Sequence, residues 1–205
     1  MTDWNDIIFA AADHPAATAG VFLIAFLLLN FAIKRLFRPR FPRRFKARVV
    51  HVCDGDSIWV KQRWGKRVKL RLIGMDAPET EQAFGRDATE CLKRKIAGAA
   101  VDVTAVGIDP YGRLVSRVML GKTDMSEFMI REGLAWPYWR YFSRLSQDEA
   151  VRYNAACESA KKKKKGLWQE ANPLAPWTWR ENHRSWLQKL IYALRHFFRR
   201  LFRWR

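Results

Sequence analysis

The chain has 205 residues and a formal net charge of +18 at pH 7, a length that holds one domain of ordinary size with appendages. Its three cysteines are scattered and form no CxxC pair, which argues against a disulfide framework and against a zinc site. The charge is uneven, because residues 34–48 carry eight basic and no acidic residues, and residues 180–205 carry eight basic residues and one glutamate. The sequence therefore predicts a mildly basic globular domain between two strongly basic arms.

The N-terminal segment predicts a membrane anchor. After an acidic stretch at residues 1–15, residues 16–33 contain no charge, and only Thr18 and Asn30 are polar. A helix of this length spans about 27 Å, close to the roughly 30 Å of a hydrocarbon core. The run is apolar on all sides, and two basic residues follow it where a signal peptide would have a cleavage site. We expect a transmembrane helix, with a buried core helix as the alternative.

The linker at residues 34–46 is rich in arginine and proline. By the positive-inside rule, its charge predicts a single-pass protein of the cell (inner) membrane with the following domain in the cytoplasm. The same basic cluster also suits nucleic acid or anionic lipid, and its position would then say less about topology. A domain on the periplasmic or extracellular side is the alternative.

Residues 47–180 predict an α+β domain. Runs of β-branched and alternating residues predict five strands, at residues 47–53, 57–62, 66–73, 101–106 and 113–120. Apolar periodicity, capping residues and following glycines predict three helices: 84–96, a helix capped by Thr123 or Asp124 that runs to Arg131, and about 146–165. Short strands with helices after the third and the fifth suggest a closed five-stranded β-barrel of OB type with about three packed helices.

Three short segments, at residues 54–57, 71–80 and 109–113, hold the residue types that phosphodiester cleavage needs. Asp56 and Asp76 lie just past predicted strand ends, where a barrel presents side chains at its mouth, and carboxylate oxygens suit Ca²⁺. We interpret Asp54 as a turn residue, since Asp-Gly is common in turns.

Two arginines and a glutamate complete this candidate site. Arg71 and Arg113 are candidate phosphate ligands, because a guanidinium binds phosphate bidentately and neutralises charge that develops in the transition state. Glu79, three residues beyond Asp76, is the candidate general base; a free glutamate is a weak base, so the role needs a metal that lowers the pKa of water. The alternatives are surface arginines and a solvent-exposed loop glutamate.

These motifs resemble those of the staphylococcal (micrococcal) nuclease, or thermonuclease, family over residues 47–180. The segments that carry the resemblance are VxDGDS at 52–57, RLIGMDAPET at 71–80, GRDATECLKRK at 85–95, DPYGRLVSRV at 109–118, IREGLAW at 130–136 and GLW at 166–168. Several spaced motifs in the family's order make the match specific. It covers neither the apolar N-terminus nor residues 181–205.

The resemblance implies roles for six residues: Ca²⁺ binding by Asp56, Asp76 and the carbonyl of Ala77, general base catalysis by Glu79, and phosphate binding by Arg71 and Arg113. It implies cleavage of DNA and RNA on the 5′ side of the phosphodiester, which leaves 3′-phosphates. The chain departs from the best-known member at Ala77, which replaces a threonine, and at Pro110, which replaces a lysine. A carbonyl ligand survives the first change, whereas the second removes one expected phosphate contact.

Two tyrosines resemble the substrate-facing tyrosines of that family. Tyr111 lies in the 109–113 segment, and Tyr138 lies in a segment that does not align cleanly, so Trp139 and Tyr141 are alternatives to Tyr138 as a stacking platform.

The C-terminal segment, residues 181–205, predicts a basic amphipathic helix. Apolar residues recur at helical spacing from Trp186 to Phe202, with the basic residues mainly on the other side. Such a helix is typical of one that lies in an anionic membrane interface. The alternatives are a helix packed against the transmembrane segment and an arm that binds nucleic acid.

Together these features predict a membrane-anchored, Ca²⁺-dependent nuclease that acts on DNA and/or RNA and is monomeric in its nuclease domain. The alternative is a non-catalytic, membrane-tethered OB module that binds nucleic acid, since OB barrels often bind single strands without cutting them. The complete set of candidate catalytic residues argues against that alternative.

Overall fold

The computed structural model describes residues 20, 23–31, 44–63, 65, 67–138 and 144–183. Of the predicted membrane segment, residues 20 and 23–31 are described and are helical; within the described ranges, no helix combines the length and apolarity that a bilayer crossing needs. Most of the linker and the predicted C-terminal helix beyond residue 183 lie outside the described residues. The chain divides into two units, Met1–Phe41 and Pro42–Arg205, and the fold below is that of the second.

In the part of this unit that the structure describes, eight strands form two sheets. They are β1 Arg44–Val52, β2 Ser57–Gln62, β3 Arg67–Leu72, β4 Met75–Asp76, β5 Ala100–Ile108, β6 Leu114–Leu120, β7 Thr123–Asp124 and β8 Trp136–Pro137. The five long strands are antiparallel neighbours in the order β3-β2-β1-β5-β6, and a parallel pairing of β3 with β6 closes them into a barrel. The predicted five-stranded barrel is thus confirmed. The short strands add an edge, β7 beside β6, and a separate pair, β4 with β8.

The barrel core follows from the period of two along each strand. In β3, Val68, Leu70 and Leu72 are buried, whereas Arg67 is exposed and Lys69 half-buried between them. Arg71 has the outward parity of Arg67 and Lys69, yet it is buried. At this end of the barrel, the outer surface of the sheet is therefore covered by other parts of the chain.

The described residues of this unit also form helices: α1 Gly85–Ile96 between β4 and β5, α2 Met125–Arg131 between β7 and β8, and, after β8, α3 Gln147–Lys162, the 3₁₀ helix Gly166–Gln169 and α4 Pro176–Asn182. The three predicted helices are present, although α3 ends at Lys162, three residues earlier than expected. Asp124 caps α2, accepting hydrogen bonds from the amides of Ser126 and Glu127. The 3₁₀ helix and α4 were not predicted, because, unlike α2, neither begins after a residue whose side chain caps it.

Candidate active site

The turn between β1 and β2 places Asp56 at the mouth of the barrel. The Asp54 carboxylate accepts a hydrogen bond from the Asp56 amide at 2.9 Å, so Asp54 forms the turn. Gly55 has no room for a side chain, because a Cβ there would lie 2.7 Å from the Cβ of Ala77 and 2.8 Å from that of Ala88. The turn therefore packs directly on α1 and on the segment that follows β4.

Arg71 joins the two predicted metal ligands. Its Nη1 forms an ion pair with Oδ2 of Asp56, and its Nη2 lies 2.5 Å from Oδ1 of Asp76. All three side chains are buried. The Ala77 amide lies 3.3 Å from Oδ2 of Asp56, which fixes the backbone of the third predicted ligand beside this cluster.

Opposite charges in this buried cluster stabilise each other's ionised forms. Burial works to lower the pKa of the Arg71 guanidinium, but the carboxylates of Asp56 and Asp76 outweigh it and raise that pKa above its ordinary value. Arg71 is therefore a permanent cation. Burial also raises the pKa of Asp56, and Arg71 opposes that rise.

Glu79 is held by a residue from the last described helix. Nη1 of Arg180 lies 2.7 Å from Oε1 of Glu79, and its Nη2 lies 2.6 Å from Oδ2 of Asp76. The loop that carries Glu79 lies directly against the start of α1. A Cβ at Gly85 would lie only 1.8 Å from the Glu79 carbonyl oxygen, so no side chain fits there. The base candidate is thus fixed at both its backbone and its carboxylate.

Arg113 reaches the cluster from the turn before β6. Oδ1 of Asp109 accepts hydrogen bonds from the amides of Tyr111 and Arg113, both at 2.9 Å, so Asp109 shapes this turn. Its Oδ2 pairs with Nε of Arg113 at 2.6 Å, and Nη1 of Arg113 donates to Oγ of Ser57 at 2.9 Å. The Arg113 side chain is 21% exposed, which leaves part of the guanidinium open to a ligand.

These contacts form one continuous network. Ser57 Oγ donates to Oδ1 of Asp56 at 2.8 Å, which links the Arg113 branch to the Arg71 cluster. The network runs, in order, through Arg113, Ser57, Asp56, Arg71, Asp76, Arg180 and Glu79. The structure thus brings together all five polar side chains to which the sequence assigned catalytic or metal-binding roles.

The two predicted substrate tyrosines differ in setting. Tyr111 is 80% exposed, and the Cζ of Arg113 lies 5.5 Å from its ring centroid, so its ring stands beside the phosphate-binding candidate. Tyr138 stacks on Trp177 with 5.7 Å between ring centroids, and its amide donates to the Gly74 carbonyl. Trp139 and Tyr141, the alternatives to Tyr138, lie outside the described residues.

The donor set suits a hard cation. Asp56 and Asp76 offer the carboxylate oxygens that Ca²⁺ takes, and the backbone of Ala77 lies beside them. Across the described ranges, no group of three or more acidic, histidine or cysteine side chains has the arrangement of a metal site. Carbonyl groups and water would therefore have to complete the coordination shell, as is usual for this ion.

Sequence reasoning missed Arg180 and gave Asp109 no individual role. Arg180 lies 104 residues from Asp76 along the chain, and no local motif signals the contact. Asp109 had a usable signal, since an aspartate that opens a turn four residues before an arginine can accept from the turn amides and pair with the guanidinium.

Comparisons with known proteins agree with this geometry. A family model described as "Staphylococcal nuclease homologue" matches residues 69–170. An "Uncharacterized endonuclease" of Escherichia coli O157:H7 is 39% identical over 134 residues, which cover 65% of this chain and 83% of the relative.

Two further relatives carry similar names. An "Uncharacterized endonuclease" of Haemophilus influenzae is 34% identical over 137 residues, 67% of this chain and 74% of its own length. A "Micrococcal nuclease" of Shigella flexneri is 33% identical over 145 residues, 66% of this chain and 80% of its own length. With the barrel and the connected site, these matches show that the chain is a nuclease and belongs to the staphylococcal nuclease family.

Proposed function

We propose that this nuclease requires Ca²⁺, hydrolyses DNA and/or RNA to products that end in 3′-phosphates, and acts from a membrane anchor as a monomer. The observation that carries the catalytic part is the single hydrogen-bonded network that joins Arg113, Arg71 and Glu79 through the two aspartates. A scattered set of the same residue types would serve a binding module equally well.

The two predicted phosphate ligands have different roles. Arg113, whose guanidinium is partly exposed, binds a phosphate oxygen directly. Arg71 lies deeper and keeps fixed positive charge beside the phosphate while the transition state gains negative charge. Preorganised charge of this kind is often the largest contribution to catalysis.

Glu79 accepts the proton of the attacking water. The water oxygen then bonds to phosphorus while the bond to the 5′ oxygen breaks. The phosphate stays on the 3′ end of one product, and the leaving 5′ oxygen takes a proton from solvent water and becomes the 5′-hydroxyl of the other. When bound by Asp56 and Asp76, Ca²⁺ supplies positive charge and lowers the pKa of the water. The network holds Glu79 close to Asp76 through a shared arginine, which supports the proposal that a base acts beside a metal ligand.

The test is digestion of labelled DNA and RNA by the purified full chain. We expect cleavage with Ca²⁺, none with chelator, and none by Arg71→Ala or Glu79→Ala in folded protein. Products with a free 5′-hydroxyl should accept phosphate from a polynucleotide kinase without prior dephosphorylation. Binding without digestion, in the presence of Ca²⁺, would instead support the non-catalytic OB module.

The membrane anchor is supported by the uncharged segment at residues 16–33 and by the basic linker after it. The charge asymmetry favours a nuclease domain on the cytoplasmic side of the inner membrane, with the opposite side as the alternative. Protease treatment of intact and of permeabilised spheroplasts separates the two. Digestion of the domain in intact spheroplasts would contradict the cytoplasmic assignment.

A further inference from the structure

Arg180 lies where the two functional carboxylates of the site converge. Its Nη2 lies 2.6 Å from Oδ2 of Asp76, and its Nη1 lies 3.3 Å from Oδ1 of Asp76 and 2.7 Å from Oε1 of Glu79. Asp76 is fully buried. Since Arg71 also binds Oδ1 of Asp76, both oxygens of the predicted metal ligand are already engaged by guanidinium groups.

Contacts within the fold fix the position of the helix that carries Arg180. Gln82, three residues beyond Glu79, donates from its side chain to the carbonyl of Leu174 at 2.5 Å. The same side chain accepts from the Glu79 amide through its Oε1 at 3.3 Å. Helix α4 begins at the buried Pro176, and Trp177 packs against Tyr138 and Trp136. These contacts therefore hold the loop that carries Glu79 and the helix that carries Arg180 together.

We propose that Arg180 occupies the cation position of Asp76 and so sets the divalent-cation affinity of the site, an inference that rests on the proposed Ca²⁺-dependent function. A cation that binds Asp76 has to displace a guanidinium nitrogen from one of its oxygens. The net charge of the cluster predicts how Ca²⁺ affinity changes. The cluster carries one net negative charge when it contains Asp56, Asp76, Glu79, Arg71 and Arg180. Without Arg180 it carries two. Removal of Arg180 therefore strengthens the attraction for a divalent ion.

The same contact has an opposite effect on catalysis. Arg180 is the described side chain that bonds to the carboxylate of Glu79, so it is a positioning residue for the base. Without it, Glu79 loses its fixed place beside Asp76, and a misplaced catalytic group slows the reaction. Tighter metal binding together with slower turnover is the signature of this dual role, whereas a merely structural residue would weaken both.

The experiment compares the wild-type chain with Arg180→Gln and Arg180→Lys. Ca²⁺ binding is measured by isothermal titration calorimetry without substrate, and kcat is measured at saturating Ca²⁺ on a single-stranded oligonucleotide. Arg131→Gln is the matched control, since Arg131 pairs with Glu127 on the surface of α2 and its loss changes the net charge equally.

We expect Arg180→Gln to bind Ca²⁺ about tenfold more tightly or better, with kcat lowered by at least tenfold, and Arg131→Gln to match the wild type in both. Arg180→Lys keeps the charge but not the bidentate fork, so it engages Asp76 less completely: its Ca²⁺ affinity should lie between those of the wild type and Arg180→Gln, and its kcat should fall. The lysine variant keeps the test informative if the glutamine variant fails to fold, since Ca²⁺ binding by Arg180→Lys that is weaker than in the wild type contradicts the proposal.

Unchanged or weaker Ca²⁺ binding by Arg180→Gln overturns the inference and leaves the proposed function intact. Failure of the wild type and of every variant to bind Ca²⁺ removes the metal from the proposed function and overturns the inference with it. Binding by Arg180→Gln alone supports the inference most strongly.

Discussion

At Arg71, two buried carboxylates share one guanidinium. Removing one partner of a buried ion pair leaves an uncompensated charge, at a cost of about 3–5 kcal/mol in stability. A substitution of Arg71 therefore mixes lost catalysis with lost folding. Arg113 is more exposed and pairs with one buried carboxylate, that of Asp109, instead of two, so it is the cleaner probe of phosphate binding.

Arg113→Gln removes a charged donor from the proposed phosphate site. We expect kcat/KM to fall by about a hundredfold, the usual order for the loss of one transition-state donor, with the melting temperature changed by a few degrees at most. The measurements are steady-state cleavage of an oligonucleotide and thermal unfolding followed by circular dichroism.

The matched control for this prediction is Arg117→Gln. Arg117 forms a bidentate pair with Glu149, one contact being 2.6 Å, and it is not part of the network that joins Arg113 to Glu79. The control should unfold at a lower temperature while its folded fraction keeps its activity. Equal activity losses in the two variants would contradict a specific role for Arg113.

The site residues that sequence could identify belong to short motifs. Asp56, Asp76 and Glu79 lie within a few residues of strand ends or turns, so local pattern places them at the mouth of the barrel. Arg180 required knowledge of tertiary contacts, because α4 reaches the site by packing on Tyr138 and through the contact of the Glu79 loop with Leu174. The burial of Arg71 was likewise invisible, since its strand parity predicts an exposed side chain.

Strands β2 and β3 present a basic face that begins at the site. Ser57 pairs with Arg71, Trp59 with Lys69, and Lys61 with Arg67, and alternate residues of a strand share one face. The face is half-buried at Trp59 and Lys69 and exposed at Lys61 and Arg67. Two like charges placed directly opposite each other are unfavourable, and a bound polyanion would offset that cost.

From this face we predict that Lys61→Gln/Arg67→Gln weakens substrate binding in a salt-dependent way. Each lost contact with single-strand phosphate should reduce the slope of log affinity against log salt by about 0.7, with kcat at saturation retained. Binding of a labelled oligonucleotide at several salt concentrations measures the slope. The control Lys93→Gln/Arg131→Gln removes two surface charges from α1 and α2; an equal change in its slope would show a general charge effect.

The start of α3 predicts an acid-sensitive link between helix and barrel. Burial works to raise the pKa of Glu149, but hydrogen bonds from Arg117 and Ser146 outweigh it and hold that pKa below its ordinary 4.5. A lowered pKa in the folded state adds stability above the ordinary value, and this stability is lost as the pH falls through the folded-state pKa.

Glu149→Gln should therefore be less stable than the wild type at pH 7 and lose less stability on acidification below about pH 5. Urea unfolding at a series of pH values between about 3 and 7 gives the two curves. Parallel curves for the two proteins would contradict a contribution from the ionised Glu149.

Over the whole molecule, the fold was predictable where a pattern extends over several residues. The five barrel strands have six to nine residues each. This is long enough for the alternation of buried and exposed residues to be recognised in the sequence. Strands β4, β7 and β8 have two residues each and exist only because other strands lie beside them. The sequence also shows where the basic residues lie along the chain, but it does not show what the two basic arms bind.

The charge distribution leads to a prediction for the whole chain. Residues 44–183 contain the complete barrel and the helices that build the site, whereas the segment beyond residue 183 adds Arg and Lys side chains interleaved with aromatic residues. We expect a chain of residues 44–205 to sediment with anionic vesicles, and a chain of residues 44–183 to do so far less. Because the shorter chain keeps Arg180, both should cleave a short oligonucleotide at the same rate.

Salt and lipid composition separate the possible roles of this arm. An interfacial amphipathic helix binds through apolar burial and charge together, so added salt should weaken vesicle binding without abolishing it, and neutral vesicles should bind poorly. If the shorter chain instead keeps its vesicle binding and loses affinity for long nucleic acid, the arm contacts the substrate. In that case the extreme basicity of the chain would belong to substrate capture, and the membrane assignment would rest on the N-terminal segment alone.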